Sequence, residues 1–557
     1  MGGKIGFLLV ALVLCSCGSQ EPRDDSALYP LPSYSFTSAS ELKEQAIAAK
    51  GLPEKEREEK GQELFGKIRE LGYFKPMGQA YTMRKLRFFD TLCADSRFEM
   101  ERYRLSQAVA VDRPISKVDY EASFSGGFRS RTDLSSFARA RGYLQSDSVG
   151  VMEPWVDAAC SYDFMDFGSD NAYSGYFYFN ANRGLFRFDG SGAAIPDLAS
   201  DVSVSEDRLT YTITISENYW KDHAGTPLRK ISAEDFVASF EYAKRSEAGA
   251  DPRILSFEAK NEATLVVKTN TPDTHFVWAF SSLLNYPCPA DFRVNPDYGK
   301  TIESTVYSGN YRIEAKDRYL SLVTDKEDAL KEIRIYKTST DASFENGELD
   351  VRATATSEQG DDLIPVRVAS TQYLALDFRQ IDVEHKKAME NPYFRRAVLS
   401  VFDRNEFSTF TDLQPNPLFS PSDRPNPLYP SYLENKGPWD DDDLSWGRRH
   451  FLKAKEELPS GFFNTPAYLK IYYESFERVV PDYIRNWETR LRTVFGNEVL
   501  FDIGFIMAGD FIAGVLPGPV YRAYCFAPQE DLLETVQTVA ETGFALWAPY
   551  RMPPKRG

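Results

Sequence analysis

Histidine and cysteine, the residues that most often build metal and redox sites, are scarce here: four and six among 557 residues. His223, His275, His385 and His450 include no two at metal-ligand spacing. A zinc enzyme therefore lacks its ligands. Cys93, Cys160, Cys288 and Cys525 lie far apart with no Cys-x-x-Cys among them. An exported chain can form one or two disulfides from these four, and three full pairings stay open. Long apolar runs are absent after the first residues, so nothing in the body reaches the roughly 20 residues that span a bilayer. Positive charge is short as well. The net charge of −17 argues against DNA or RNA as a partner. The motifs of common hydrolases are missing too: no Gly-x-Ser-x-Gly, no His-Glu-x-x-His, and no Cys/His neighbourhood. Acids are plentiful, so paired carboxylates of the glycosidase kind are the one enzymatic alternative left open.

What is present is ordinary in bulk and unusual in one respect. Hydrophobic residues at 42% and charged residues at 26% suit a globular chain, with two to four domains for this length. Aromatic residues reach 14%, with 39 Phe and 31 Tyr, enough to line a binding cleft or simply to fill cores.

The first residues read as an export signal. Lys4 is followed by an uninterrupted apolar stretch over residues 5–14, too short to span a membrane and suited to secretion. Gly6 occupies the place where N-myristoylation wants Ser or Thr. The run Leu14-Cys15-Ser16-Cys17 resembles a bacterial lipobox: an aliphatic residue, two small ones, then the Cys that is acylated. On that reading residues 1–16 are removed and Cys17 carries the lipid; the alternative is an ordinary signal whose cysteines are accidental.

Residues 20–37 are polar, as in a tether. Ser38-Ala39-Ser40-Glu41 forms a capping box, and the helix it opens is expected to stop at Gly51. A second helix is predicted over 54–71, with Leu64, Ile68 and Leu71 on one stripe. Within it "GQELFGK" mimics a phosphate loop, but Ile68 replaces the Ser/Thr and no strand precedes it. Residues 75–147 show no assignable role. From Ser148 the texture is α/β. "LTYTITI" at 209–215 alternates cleanly, and "TLVVKT", "YRIEA", "YLSLVT", "EIRIYK", "YLALDF", "YLKIYY" and "EVLFD" are further predicted strands. Helical spacing marks "SAEDFVASFEYAKR", opened by Ser232 and Asp235 in a capping-box variant, and "NPYFRRAVLSVFDR". The proline-rich stretch 415–430 reads as an extended loop, and Asp440 to Asp443 as a solvated turn without calcium-loop spacing.

Several of these blocks together resemble the extracytoplasmic solute-binding proteins of peptide and nickel ABC transporters. Gly184-Leu185 precedes Pro196-Asp197-Leu198-Ala199. The alternating strand is followed by Trp220, Asp222, Gly225-Thr226-Pro227-Leu228 and Ser232-Ala233-Glu234-Asp235. "YSGNYRI", "GELDV", "YLALDF", "FRRAVLSVFDRNEF", "FLKAKEEL" and "NWETRLRTVFGNEVLFD" continue in the family's order. Upstream, "EPWVDAACSYD" resembles the family's opening block. The resemblance covers about 148–502 and implies a two-lobed α/β clamp (type II) with an additional small domain, closing on ligand between its lobes, with an N-terminal helical extension in front. These motifs mostly build scaffold, and Arg395 is expected to anchor a helix by an ion pair. The chain departs from the pattern at His223 and Ala224, inserted after Asp222, at Arg183 where the family commonly has Glu, and at Asp377 in place of Asn. It also has about 130 residues in front and only some 55 behind, where the family continues much further. Either the N-terminal segment supplies the end of the first lobe, or the binding function is altered.

The expected organisation is thus a signal at 1–16, a tether and extension at 17–147, a solute-binding region at 148–502 and a divergent segment at 503–557. The resemblance implies a lipid-anchored, monomeric receptor in the cell envelope that captures an oligopeptide or related small solute for an ABC permease. No enzymatic activity, metal or cofactor is expected. Its membrane contact would run through the lipid on Cys17. The alternative is a non-transport interaction lipoprotein derived from such a receptor. Candidate ligand contacts are Tyr176, Tyr178 and Asn180, which share one face if their segment is extended. Arg183 is the candidate partner of a ligand carboxylate. Asp531, beside a helix start in "YCFAPQEDLLETV", is the candidate remnant of the family's amine-binding Asp.

Overall fold

Alternation at 210–215 does what its period requires. Tyr211, Ile213 and Ile215 are buried while Thr214 is exposed, and the strand sits inside a four-stranded antiparallel sheet. The computed structural model describes residues 31–540, except 32–33, 35, 91–102, 126–129, 154–160, 167–174, 189–193, 246–250, 252, 275, 277–279, 281–284, 338–342, 355–359, 378–385, 404–405, 407–412, 416–443, 476–481, 508–520, 527–531, 534–535 and 538–539. Cys17, Cys93, Cys160, His275, His385, Asp531, the proline-rich stretch beyond Pro415 and the acidic run at 440–443 lie outside the described residues.

The molecule is an α/β protein of two lobes. In the first, strands Ala199–Val204, Thr210–Ile215, Thr264–Thr269 and Ile254–Asn261 form one sheet around Trp220, Phe236 and Phe240. Strands Arg312–Ala315, Tyr319–Val323 and Glu332–Tyr336 form a second, closed by Ser148–Met152 running parallel to Glu332–Tyr336. The second sheet shares its core with helices Lys117–Ser125 and Arg131–Ala140 and with a small sheet of Phe88–Phe89, Val109–Val111 and Gln145–Ser146. The described residues between 86 and 147, silent in the sequence, are therefore part of the first lobe's core. The second lobe is built on a seven-stranded sheet. Its main path runs Val351–Thr354, Phe74–Leu86, Ile364–Asp377, Tyr521–Phe526, Ala467–Ser475, Val499–Met507, and Leu413–Pro415 is added beside Phe74–Leu86. Helices Pro392–Ser400, Leu444–Glu457 and Asp482–Phe495 pack on it through Phe394, Trp487, Phe495 and Phe501. Residues before 147 enter both lobes, and 502 falls inside Val499–Met507.

Two long strands join the lobes. Phe74–Leu86 runs antiparallel to Ile364–Asp377, from Phe74↔Ala375 to Arg84↔Ile364. Leu86 and Ile364 are buried in the first lobe's core. Eleven residues back, about 36 Å along an extended strand, the Lys75 ammonium donates to the Leu399, Ser400 and Phe402 carbonyls at 3.2, 3.3 and 2.6 Å. Those carbonyls close the helix Pro392–Ser400, where a cation meets the negative end of the helix dipole.

At the N-terminus Ser38 caps the helix Ala39–Ala49, its Oγ accepting from the Glu41 amide at 3.2 Å. The helix Glu54–Glu70 absorbs the phosphate-loop mimic. The helix ends at Ala49 with Lys50 as its C-cap, so Gly51 stands where the stop was expected. It is absent from the glycines of positive φ, and its role is close packing, since a Cβ there would lie 3.0 Å from the Pro272 Cβ. Arg395 anchors its helix in part through backbone carbonyls: Nε donates to Leu71 at 2.7 Å, and Nη1 to Met389 and Glu390 at 2.8 Å. Burial pulls the guanidinium pKa down to about 10.

A third core is closed by both ends of the described chain. Leu42, Ala46, Leu64, Phe65 and Ile68 pack against Leu532, Leu533 and Val536. Leu533→Ala should destabilise the protein by about 2–5 kcal/mol, read as a lower midpoint in urea unfolding. A change under half a kcal/mol would mean that this contact does not close the core.

Candidate functional site

The candidate contacts at 176–183 fall on one short element. "GYFYFNA" is the helix Gly175–Ala181. The aromatic alternation suggested an extended face, but backbone turns put Tyr176 and Asn180 one turn apart and send Tyr178 elsewhere. The Asn180 amide donates to the Tyr176 and Tyr103 carbonyls, both at 2.7 Å, and its Oδ1 accepts from the Leu105 amide at 2.9 Å. It rivets this helix to the N-terminal segment. The Tyr178 hydroxyl donates to the Ser161 carbonyl. The partly buried Tyr176 ring meets Tyr103 edge to face, centroids 4.9 Å apart.

Arg183 follows the helix and is already engaged. Its Nε donates to Asp197 Oδ1 at 2.7 Å and its Nη2 to the Asp197 carbonyl at 2.8 Å. Arg104 approaches the other carboxylate oxygen at 3.9 Å and donates to the Tyr286 hydroxyl at 2.7 Å. One buried carboxylate thus lies between two guanidiniums, and all three groups are mostly buried. The backbone around Arg183 is fixed from the side of "YSGNY": its amide donates to Ser308 Oγ at 2.8 Å, and Gly309 donates to the Ala181 carbonyl at 2.9 Å. Sequence reasoning missed Tyr103, Arg104 and Tyr286. Arg104 lies in the unassigned stretch, 93 residues from Asp197, and nothing local marks it.

The motif residues assigned to scaffold behave as scaffold. Asp235 accepts from the Trp220 indole at 3.1 Å, the Ser232 amide at 2.9 Å, and Arg229 at 2.9 and 2.7 Å. The Ser232 contact is the reciprocal half of a capping box at helix Ala233–Arg245. Arg229 reaches on to Asp291, and its two carboxylate partners push its pKa above the ordinary arginine range. Among the described residues no three metal-ligating side chains cluster, and no helix is long and apolar enough to cross a membrane.

Where the joining strands leave the first lobe stands Asp350, buried, its Oδ2 accepting from the Gly150 amide at 2.7 Å. Its own carbonyl accepts from the Arg87 amide at 2.8 Å. Burial raises the carboxyl pKa to about 6 against the pull of the Gly150 bond and of Arg334 and Arg87.

Residues 193–465 match the family model for bacterial extracellular solute-binding proteins, family 5, middle region. Over this stretch, just under half of its length, the chain is similar to the family 5 extracellular solute-binding proteins. It is 27% identical over 159 residues to a dipeptide-binding protein of Lactococcus lactis, covering 24% of this chain and 28% of that protein. It is 24% identical over 295 residues to the oligopeptide-binding protein AliA of Streptococcus pneumoniae, covering 41% and 44%. The chain spans less than half the length of these curated relatives. Among solved structures it is similar to Listeria monocytogenes OppA bound to peptide, at 14% identity and a TM-score of 0.43, covering 69% of this chain and 82% of that one. For HbpA2 from Haemophilus parasuis the values are 14%, 0.46, 69% and 80%.

Two outcomes follow from the bonding. Asn180→Ala removes the side-chain bonds to the Tyr103 carbonyl and the Leu105 amide, besides a second bond to the Tyr176 carbonyl, and should cost about 2–4 kcal/mol, seen as a fall in thermal midpoint; an unchanged midpoint would remove Asn180 from its role as rivet. For Asp350 the folded pKa lies above the unfolded carboxylate value near 4. Its contribution to stability is therefore complete below about pH 4 and is lost as pH rises through 6. Urea midpoints of Asp350→Asn should gain on the parent between pH 4.5 and 7. Parallel curves would contradict a raised pKa.

Proposed function

We propose that this chain is the capture component of a peptide importer. In this reading it is an extracytoplasmic receptor, held at the membrane of the cell envelope by lipid on Cys17. It takes an oligopeptide or a related small solute between its lobes and passes it, as a monomer, to an ABC permease. The observation that carries the reading is the family match over 193–465. Two lobes joined by a paired strand crossing support it, since a site between domains can close by a hinge. The names of the relatives, a dipeptide-binding and an oligopeptide-binding protein, point to the same ligand class.

A buried peptide needs its backbone groups bonded and its charged ends paired. Tyr176 and Arg183 are proposed to border the ligand, with Tyr178 and Asn180 holding the helix beneath them. Asp531 is the proposed partner of a ligand amine. A second reading, an interaction lipoprotein derived from a receptor, draws support from Arg183, whose carboxylate partner is supplied internally by Asp197. Titration calorimetry with a mixed library of two- to six-residue peptides separates the two. Saturable heat at micromolar peptide, with a higher melting temperature as ligand binding requires, supports the receptor. No heat with peptides or with nickel–amino-acid complexes overturns it in favour of the second reading.

A further inference from the structure

Helix Glu54–Glu70 meets one lobe with its first turn and the other with its last. Near its start Arg57 is buried and its Nη1 lies 2.6 Å from Asp273 Oδ1, itself buried in the first lobe. Arg253 holds the other oxygen of Asp273 at 3.0 Å, and the Tyr211 hydroxyl donates to the Asp273 carbonyl at 2.7 Å. Arg57 also donates to the Lys50 carbonyl at 2.5 Å, which accepts as well from the Thr274 amide at 3.0 Å. Gly51 packs against Pro272 beside them.

The far end is set into the second lobe. The Leu71 carbonyl accepts from Arg395, whose guanidinium lies 4.4 Å from the Tyr73 ring centre. Gly72 has φ +68°, and a Cβ there would lie 2.8 Å from Arg396 Cγ and 3.2 Å from the Pro392 carbonyl. Tyr34 meets Tyr393 of helix Pro392–Ser400 at a tilt and Phe36 meets it edge to face, with centroids 5.6 and 5.1 Å apart. Between its ends the helix is stiffened along one flank by Leu532, Leu533 and Val536.

We infer that helix Glu54–Glu70 is a strut that fixes the spacing of the two lobes along one side of the molecule, with Arg57–Asp273 as its latch. Fourteen residues separate Arg57 from Leu71, about 21 Å of helix. A hydrogen-bonded helix does not shorten, and the latch does not open cheaply, because parting it leaves a charge buried without its partner. Relative motion of the lobes is therefore confined to rotation about the strut's ends, and any cleft between them opens on the side away from it. This holds whether or not the ligand is a peptide.

The test uses the full chain with nitroxides attached through an introduced keto amino acid at positions 255 and 452. Leu255 and Leu452 are exposed, one on each lobe. Electron–electron double resonance should give one narrow distance distribution in the parent. Asp273→Asn, which undoes the latch, and Glu63→Pro, which breaks the helix on its exposed face without touching either anchor, should each widen that distribution at least twofold. Near-UV circular dichroism identifies which variants remain folded. A parent distribution that is already broad or bimodal overturns the strut, and so does an unchanged width in a folded variant.

Discussion

Phe74–Leu86 and Ile364–Asp377 lie side by side, and the register from Phe74↔Ala375 to Arg84↔Ile364 carries both strands out of one core and into another. Strand pairing is stiff along the strand and soft in twist, so the crossing transmits position while permitting rotation. The chain enters it from opposite ends: one strand follows the N-terminal helices, and the other follows Val351–Thr354 of the same sheet. Asp350 and Arg87 sit at the exit from the first lobe, and Lys75 caps the helix at the entry to the second. Both lobes take their relative placement from this pair, and helix Glu54–Glu70 adds a second connection beside it.

The buried polar groups are concentrated where segments distant in sequence meet. Asp235 gathers an indole, an amide and a guanidinium, and Asn180 joins residues 75 positions away. Asp273 collects Arg57 and Arg253. Each such group is costly to leave unpaired, so alternative packings that break it are excluded. That is why the motif residues of this family read as architecture: they specify how pieces fit rather than what is bound.

Elements whose cause is local were legible in the sequence. The alternation at 210–215, the capping boxes at Ser38 and Ser232, and the stripe Leu64, Ile68, Leu71 all predicted what the structure contains. The order of the family motifs gave the two-lobed α/β class. What escaped has distant causes. "FKPMGQAYTMRKL" carries a proline and a glycine and no clean alternation, and its principal partner strand begins 278 residues after its own last residue. The helix Gly175–Ala181 is only seven residues long, and it is held by Tyr103, Leu105 and Ser161 rather than by its own propensity, so its rings looked like a strand. Around the candidate contacts, the bonds that hold the segment were not legible: the pairing of Arg183 with Asp197 joins two family blocks that carry no local sign of it.

The core formed by Leu42, Leu64 and Ile68 with Leu532, Leu533 and Val536 has a consequence for timing. During synthesis Leu42 waits for Val536, almost five hundred residues later. Helices 39–49 and 54–70 can form early, but their apolar stripe stays uncovered until residues near 536 emerge, and contacts of such separation form slowly. Folding cannot finish by stages from the N-terminus. A nascent chain keeps this stripe uncovered until residue 536 has been made, and any holding factor that meets it before then meets an apolar helix face.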